Sequence, residues 1–244
     1  MNSPTNTWQK VRLIKSEQIA SDVKSLTFKL KKPTTFLAGQ HYSIRINIKK
    51  DYIAERDYSL ANPPEVNDQV EFGIQLIKDG EVSPFLYILK PNDQIEIKGP
   101  TGRSFFWEAH KNTNPLLLVS GGAGLVPLRS MILHHINNYK KREVVLLISF
   151  KSIERVLYQK ELEKLTKQYP DFKIVYTYTQ KAPDKFSGYQ RRVDQQMIAD
   201  VFAEYKNKNP SVFVCGPTPF VEVATNALIA VGFDPQKIKA ERFG

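Results

Sequence analysis

Four groups of residues have types and spacings suited to chemistry. The first is Arg56-Asp57-Tyr58-Ser59, preceded by Phe36, Gly39, Gln40, His41 and Tyr42. A tyrosine ring stacks on a planar heterocycle such as an isoalloxazine, a serine hydroxyl reaches a ring nitrogen such as flavin N5, and an arginine fork holds a phosphate. The same four residues also read as an ordinary strand with alternating faces. The second group is Gly80-Glu81-Val82-Ser83, ahead of Pro84. A glycine bend and a serine cap leave free amides at a helix start, which suits a pyrophosphate. A plain N-cap accounts for the serine equally well, and the proline fits both readings.

The third group runs from Leu116 to Pro127, an apolar strand passing through Ser120-Gly121-Gly122-Ala123-Gly124 towards a helix. Glycines let a diphosphate approach the backbone, and the helix start supplies partial positive charge. This is not the Gly-x-Gly-x-x-Gly fingerprint, so no acidic residue is required at the usual ribose distance. The fourth is Val212 to Phe220, a strand ending in Cys215-Gly216-Pro217. A turn at the carboxyl edge of an α/β sheet is where ligands bind. Cys215 reads either as a group beside a bound nicotinamide or as a small buried hydrophobe. No cationic partner marks it as a nucleophile.

Two kinds of element must position these groups. From Val11 to about Glu108 the pattern is one of short alternating segments, at Ser25–Leu30, Tyr42–Ile48, Val70–Ile77 and Gln94–Lys98, with one short helix at Pro84–Leu89. Such spacing predicts a small antiparallel barrel. Beyond Asn112, buried strands at Pro115–Ser120, Glu143–Phe150, Lys173–Tyr178 and Ser211–Cys215 alternate with helices at Leu128–Asn138, Gln159–Gln168, Gln195–Tyr205 and Phe220–Val231. That alternation predicts a parallel sheet with helices on both faces. The fold class is therefore β followed by α/β, with domains at 1–112 and 113–244 and a boundary in the polar stretch ending at Pro115.

The bulk composition narrows the function classes. An apolar fraction of 41% with 25% charged residues is ordinary for a globular chain. No apolar run approaches the roughly 18 residues that span a bilayer, and Met1 to Lys10 holds no signal-peptide core. A single cysteine excludes an intrachain disulfide framework and a cysteine-ligated iron–sulfur cluster in this chain; no metal site is expected, and a reducing cytoplasm is the expected setting. The net charge of +10 is spread over short runs such as Lys49-Lys50, Lys140-Lys141-Arg142 and Arg191-Arg192. It suits a solvated surface or an acidic partner, and no nucleic-acid module signature accompanies it.

The order Arg-x-Tyr-Ser, Gly-x-x-Ser, Gly-Gly-x-Gly-x-x-Pro, Cys-Gly-Pro resembles the ferredoxin–NADP reductase superfamily across nearly the whole chain. Gly99-Pro100-Thr101-Gly102 and Glu241-Arg242-Phe243-Gly244 also look like that family. The likeness is nearest to reductase components of bacterial oxygenases, without their two-iron, two-sulfur domain. The resemblance implies a six-stranded antiparallel barrel that binds FAD and an α/β domain that binds NADH or NADPH. It implies that Tyr58 stacks on the isoalloxazine, that Ser59 faces N5, and that Arg56 and the backbone from Gly80 through Val82 to Ser83 meet the FAD pyrophosphate. Gly121, Gly122 and Gly124, with Pro127, would shape the dinucleotide loop. Cys215, Gly216 and Pro217 would line the nicotinamide pocket, with Glu241 and Phe243 near the flavin. Tyr58, Ser59, Cys215 and Glu241 would be the catalytic set.

Three departures stand out. Ala123 replaces a hydroxyl residue of the loop, Phe220 replaces a methionine, and Gln180 stands where NADP-specific relatives often place arginine, although Lys151, Ser152 and Arg155 could meet a 2′-phosphate. The implied activity is hydride transfer from NAD(P)H to FAD, then electron delivery to a separate ferredoxin, flavodoxin or oxygenase component. Two other classes remain: a flavin-binding subunit or sensor with little turnover, and a basic nucleic-acid-binding barrel.

Overall fold

The computed structural model describes residues 5–49, 52–102, 104–108, 114–138 and 142–243. The expected domain boundary after residue 112, Lys50, Lys140, Lys141 and the terminal Gly244 lie outside them.

Six antiparallel strands make the first half: β1 (Thr5–Ala20), β2 (Val23–Lys29), β3 (His41–Lys49), β4 (Tyr52–Ser59), β5 (Gln69–Gln75) and β6 (Gln94–Thr101). Their order is β4-β3-β6-β1-β2-β5, and a bridge between Leu60 and Phe72 joins the two outer strands. Alternation places Leu13, Leu26, Phe28, Tyr42, Ile44, Phe72, Ile74 and Ile97 in the interior. The alternation read at Tyr42–Ile48 breaks at Ile48, which is exposed near the β3–β4 connection. The strand read to Ile77 stops at Gln75, and Ile77 is exposed where the chain turns towards Gly80. The long β1 has no clean period because register shifts after Leu13 and after Gln18 each change which face the next residue takes.

The second half is a five-stranded parallel sheet of β7 (Leu116–Gly121), β8 (Val144–Ser152), β9 (Phe172–Lys181), β10 (Ser211–Pro217) and β11 (Ile238–Phe243), ordered β11-β10-β7-β8-β9. Leu116 and Leu118 pack with α2 (Leu125–Asn138) and α3 (Gln159–Gln168). Leu117 and Val119 face the other way, towards α4 (Gln195–Phe202) and α5 (Thr218–Val231). Burial on both faces explains why β7 is a continuous apolar run.

Several boundaries differ from expectation. α2 begins at Leu125 and α5 at Thr218 because Pro127 and Pro219 sit in first helical turns, where a missing N–H costs nothing. α4 ends at Phe202, and a 3₁₀ segment covers Ala203–Lys208. The closing residues, given no element from sequence, form β11, paired along β10 from Val212↔Ile238 to Pro217↔Phe243.

The two halves share a packed interface. Val23, Ala38, Ala61, Phe105 and Trp107 join the buried cluster of α2, β7 and β8. Arg129 on α2 crosses the interface: its Nη1 donates to the Ala61 carbonyl at 2.8 Å and to Glu71 Oε2 at 3.1 Å, while Nε and Nη2 donate to the Glu161 carboxylate at 2.5 and 2.9 Å. Ser25 Oγ donates to the other oxygen of Glu71 at 2.6 Å. Ser130 Oγ donates to the Asn62 carbonyl at 2.7 Å. Among the described residues no helix is long and apolar enough to cross a membrane.

Candidate functional site

A cleft of about 560 Å³ opens between β4, β5 and the 77–83 loop on one side and the start of α2, β10 and β11 on the other. Arg56, Tyr58, Ser59, Gly80, Val82, Ser83, Pro127, Cys215, Glu241 and Phe243 all line it. A second pocket of about 290 Å³ holds Gly121, Gly122, Pro217 and Phe220, with Lys151, Arg155 and Thr179. Gln75, Ala123 and Phe243 line both cavities. Residues distant in sequence are thus brought to one groove running across the two halves.

The groove's centre is a contact between its walls. Ser59 Oγ donates to Glu241 Oε1 at 2.9 Å, tying the end of β4 to β11. Glu241 lies opposite Cys215 in the β10–β11 register. Burial raises the Glu241 carboxyl above its ordinary range; the Ser59 hydrogen bond opposes that shift and Asp57 adds to it. Burial, and then the charge of Glu241, push the Cys215 thiol well up. Cys215 is 1% exposed, so it is a protonated, packed group rather than a thiolate nucleophile. Burial also pushes the Tyr58 phenol up to about 12, against the lowering effect of Arg56. The Tyr58 ring meets Phe72 edge-on, with centroids 6.4 Å apart.

The loop at Gly80–Ser83 departs from the expected cap. Val82 already has helical angles at the cap position and makes no side-chain cap bond, and the helix α1 (Ser83–Tyr87) is only five residues long. Ser83 instead accepts the Ile77 N–H at 3.0 Å through its Oγ, which closes the 77–83 loop. Any anion held here therefore relies on local amides rather than on a long helix. Arg56 is not free in this loop's company. Its Nη2 pairs with Glu81 at 3.2 Å, Nη1 donates to the Glu55 carbonyl at 2.7 Å, and Tyr52 donates to Glu81 at 2.5 Å.

The glycines divide by role. Gly122 has φ +54°, and a Cβ there would meet nothing within 4 Å, so its backbone faces open space. Gly124 lines neither cavity. A Cβ on it would lie 2.1 Å from the Cys215 carbonyl oxygen, so its lack of a side chain lets α2 approach β10. Gly216 also lines neither cavity, and a Cβ there would lie 2.7 Å from the Phe220 ring. Gly73 was not singled out from sequence, yet a Cβ there would strike Val126 at 2.6 Å across the interface; a glycine inside a strand was its signal. His41 and Asp57 also line the cleft, with His41 Nε2 at 3.9 Å from Asp57, as do Gln75, Val126 and Arg242. Gln75 carries no sequence signal, since polar strand residues are ordinary on a half-exposed sheet. Gln180 is exposed and lines neither cavity.

Comparisons with known proteins agree with this architecture. Residues 10–106 match the oxidoreductase FAD-binding domain, and residues 118–226 match the oxidoreductase NAD-binding domain. The reductase component of phenol 2-monooxygenase from Pseudomonas sp. (strain CF600) is 29% identical over 228 residues, covering 92% of this chain and 62% of that protein. The chain thus spans less than two thirds of that relative. NADH-cytochrome b5 reductase 2-B of Vanderwaltozyma polyspora is 27% identical, covering 90% of this chain and 73% of that protein. The cytochrome b5 reductase domain of Ulva prolifera nitrate reductase superposes with a TM-score of 0.84 at 22% identity, over 96% of this chain and 97% of that one. A barrel and a parallel α/β sheet meet at one groove, and the chain carries an oxidoreductase FAD-binding domain followed by an oxidoreductase NAD-binding domain in that order.

Proposed function

We propose that this protein accepts a hydride from a nicotinamide dinucleotide onto FAD and passes electrons to a separate carrier, such as an oxygenase component. The observation that carries this reading is the Ser59–Glu241 hydrogen bond, which brings both domains to one point in a groove lined by Tyr58 and Cys215. The residues present fit both groups. The larger cavity offers a half-buried tyrosine, a hydroxyl and the Gly80–Ser83 loop, while the smaller has an open glycine backbone at Gly122.

Tyr58 would hold the flavin ring, Ser59 would orient a ring nitrogen, and Arg56 with the amides at Gly80–Ser83 would hold the pyrophosphate. Arg56 must then share or exchange its Glu81 partner. Gly121 and Gly122 would take the donor's diphosphate, and Cys215 and Pro217 would wall the nicotinamide. Gly124, Pro127 and Gly216 would set the loop geometry, and Phe243 would cover the junction of the two cavities. Bound FAD supplies a centre that takes an electron pair as hydride and releases electrons singly. Glu241, with its raised carboxyl, would hold a proton near that centre, with Ser59 as its hydrogen-bond partner.

The acceptor is inferred from the relatives' names and from the +10 charge, which favours encounter with an acidic protein. The test is direct. The purified protein should absorb near about 450 nm as flavin does, and anaerobic NADH or NADPH should bleach that band. A colourless protein that takes up no FAD, or a bound flavin that neither nucleotide bleaches, would sink the reading.

A further inference from the structure

The adenylate end of the donor pocket bears on which nucleotide this protein takes. In βαβ nucleotide folds, side chains near the carboxyl end of the strand after the glycine turn meet the adenosine ribose. A guanidinium there accommodates a 2′-phosphate. In this chain that strand is β8, which ends at Ser152, with Arg155 just beyond it. Lys151 and Arg155 both line the smaller pocket, and Arg155 is the only arginine among the described residues that does.

That arginine is already committed. Its Nη1 donates to Asp22 Oδ2 at 2.8 Å, and the same oxygen accepts Gln75 Nε2 at 2.9 Å. Asp22 comes from the other half of the molecule, in the β1–β2 turn, and lines the same pocket. Its position is held by backbone bonds on both sides: Ser21 N–H donates to the Glu154 carbonyl at 2.9 Å, and Leu76 N–H donates to the Asp22 carbonyl at 2.8 Å. Ser152, the next candidate, hydrogen-bonds the Glu154 carboxylate. Lys151 is left as a point charge on a flexible stem. A phosphate held by Arg155 would have to displace a carboxylate that stays in the pocket, and the two anions would repel. A ribose 2′-hydroxyl requires no such exchange.

We propose that this protein prefers NADH to NADPH, and that Asp22 is the positioning residue that sets the preference by occupying Arg155. The inference rests on the proposed donor role of the smaller pocket. It is tested on the FAD-loaded protein by calorimetric titration with NAD⁺ and NADP⁺, with anaerobic bleaching by NADH and NADPH run alongside. NADP⁺ is expected to bind about tenfold or more weakly than NAD⁺, the scale of one lost charge-assisted contact. Asp22→Asn keeps the shape and the Gln75 hydrogen bond while removing the charge. It should tighten NADP⁺ about tenfold and leave NAD⁺ within about twofold. Adding Arg155→Leu to that variant should erase the gain. Arg155→Leu alone should not weaken NADP⁺ selectively, because the wild-type guanidinium is engaged elsewhere. Equal or tighter NADP⁺ binding by the wild type, no change in Asp22→Asn, or a selective NADP⁺ loss in Arg155→Leu would each overturn the proposal. Bleaching by NADPH with equal binding would overturn this preference alone, whereas a flavin bleached by neither nucleotide would overturn the function itself.

Discussion

Glu241 occupies a position that costs stability. Its carboxyl is raised above the ordinary range by burial and by Asp57, with only Ser59 opposing. A carboxyl raised in the folded state is penalised where it ionises, so the penalty is absent well below the unfolded value and grows as pH rises through the folded value. Glu241→Gln removes the ionisation and keeps an acceptor for Ser59. The variant should melt higher than wild type at pH 7, and the gap should close as pH falls towards about 4. If Glu241 holds a proton for the reaction, the same variant should slow flavin bleaching about tenfold, the scale of one hydrogen bond to a charged group. Thermal melts across pH and stopped-flow bleaching check the two halves separately; a lower melting point at pH 7 would contradict the burial argument.

At the scale of elements, α2 is the piece that locates one domain against the other. Gly124 lets its start approach β10, Val126 fills the space that Gly73 leaves on β5, and Arg129 pairs with carboxylates from both halves. Arg129 is 11% exposed in its side chain and also lies over the Tyr158 ring at 4.2 Å. Removing one member of a buried ionic network leaves its partners uncompensated, which costs about 3–5 kcal/mol. Arg129→Met should lower stability to chemical denaturation by roughly that amount. Because Ser59 and Glu241 belong to different halves, it should also loosen the groove. A variant as stable as wild type in urea would show that Glu71 and Glu161 are satisfied without it.

At the scale of the whole molecule, the groove is interdomain and the surface is strongly basic. If the proposed acceptor is acidic, ten net positive charges would steer it by long-range attraction that salt screens. Electron delivery to such an acceptor should fall steadily from about 0.05 to about 0.5 M salt. Bleaching by the nucleotide, a chemical step inside the groove, should change far less. Steady-state reduction of an acidic ferredoxin against single-turnover bleaching separates the two. A delivery rate indifferent to salt would remove charge steering from the account.

The sequence alone determined the two-part architecture and most of the groove's lining. Buried strands, alternating faces and glycine turns are local patterns, and the motif order from Arg56 to Phe243 marks residues that line the two cavities. Register and proximity were decided only by the tertiary structure. The bulges in β1 erased its period, and the closing residues became a strand only because β10 offered a free edge. Ser83 ties the 77–83 loop rather than capping α1 through its side chain, because Val82 is already helical. Gly124 and Gly216 serve packing because their neighbours, Cys215 and Phe220, arrive from distant parts of the chain. The commitments of Arg56 to Glu81 and of Arg155 to Asp22 were invisible for the same reason. A charge's partner depends on which surfaces the fold brings within a few ångströms, and no spacing along the chain between Asp22 and Arg155 records that.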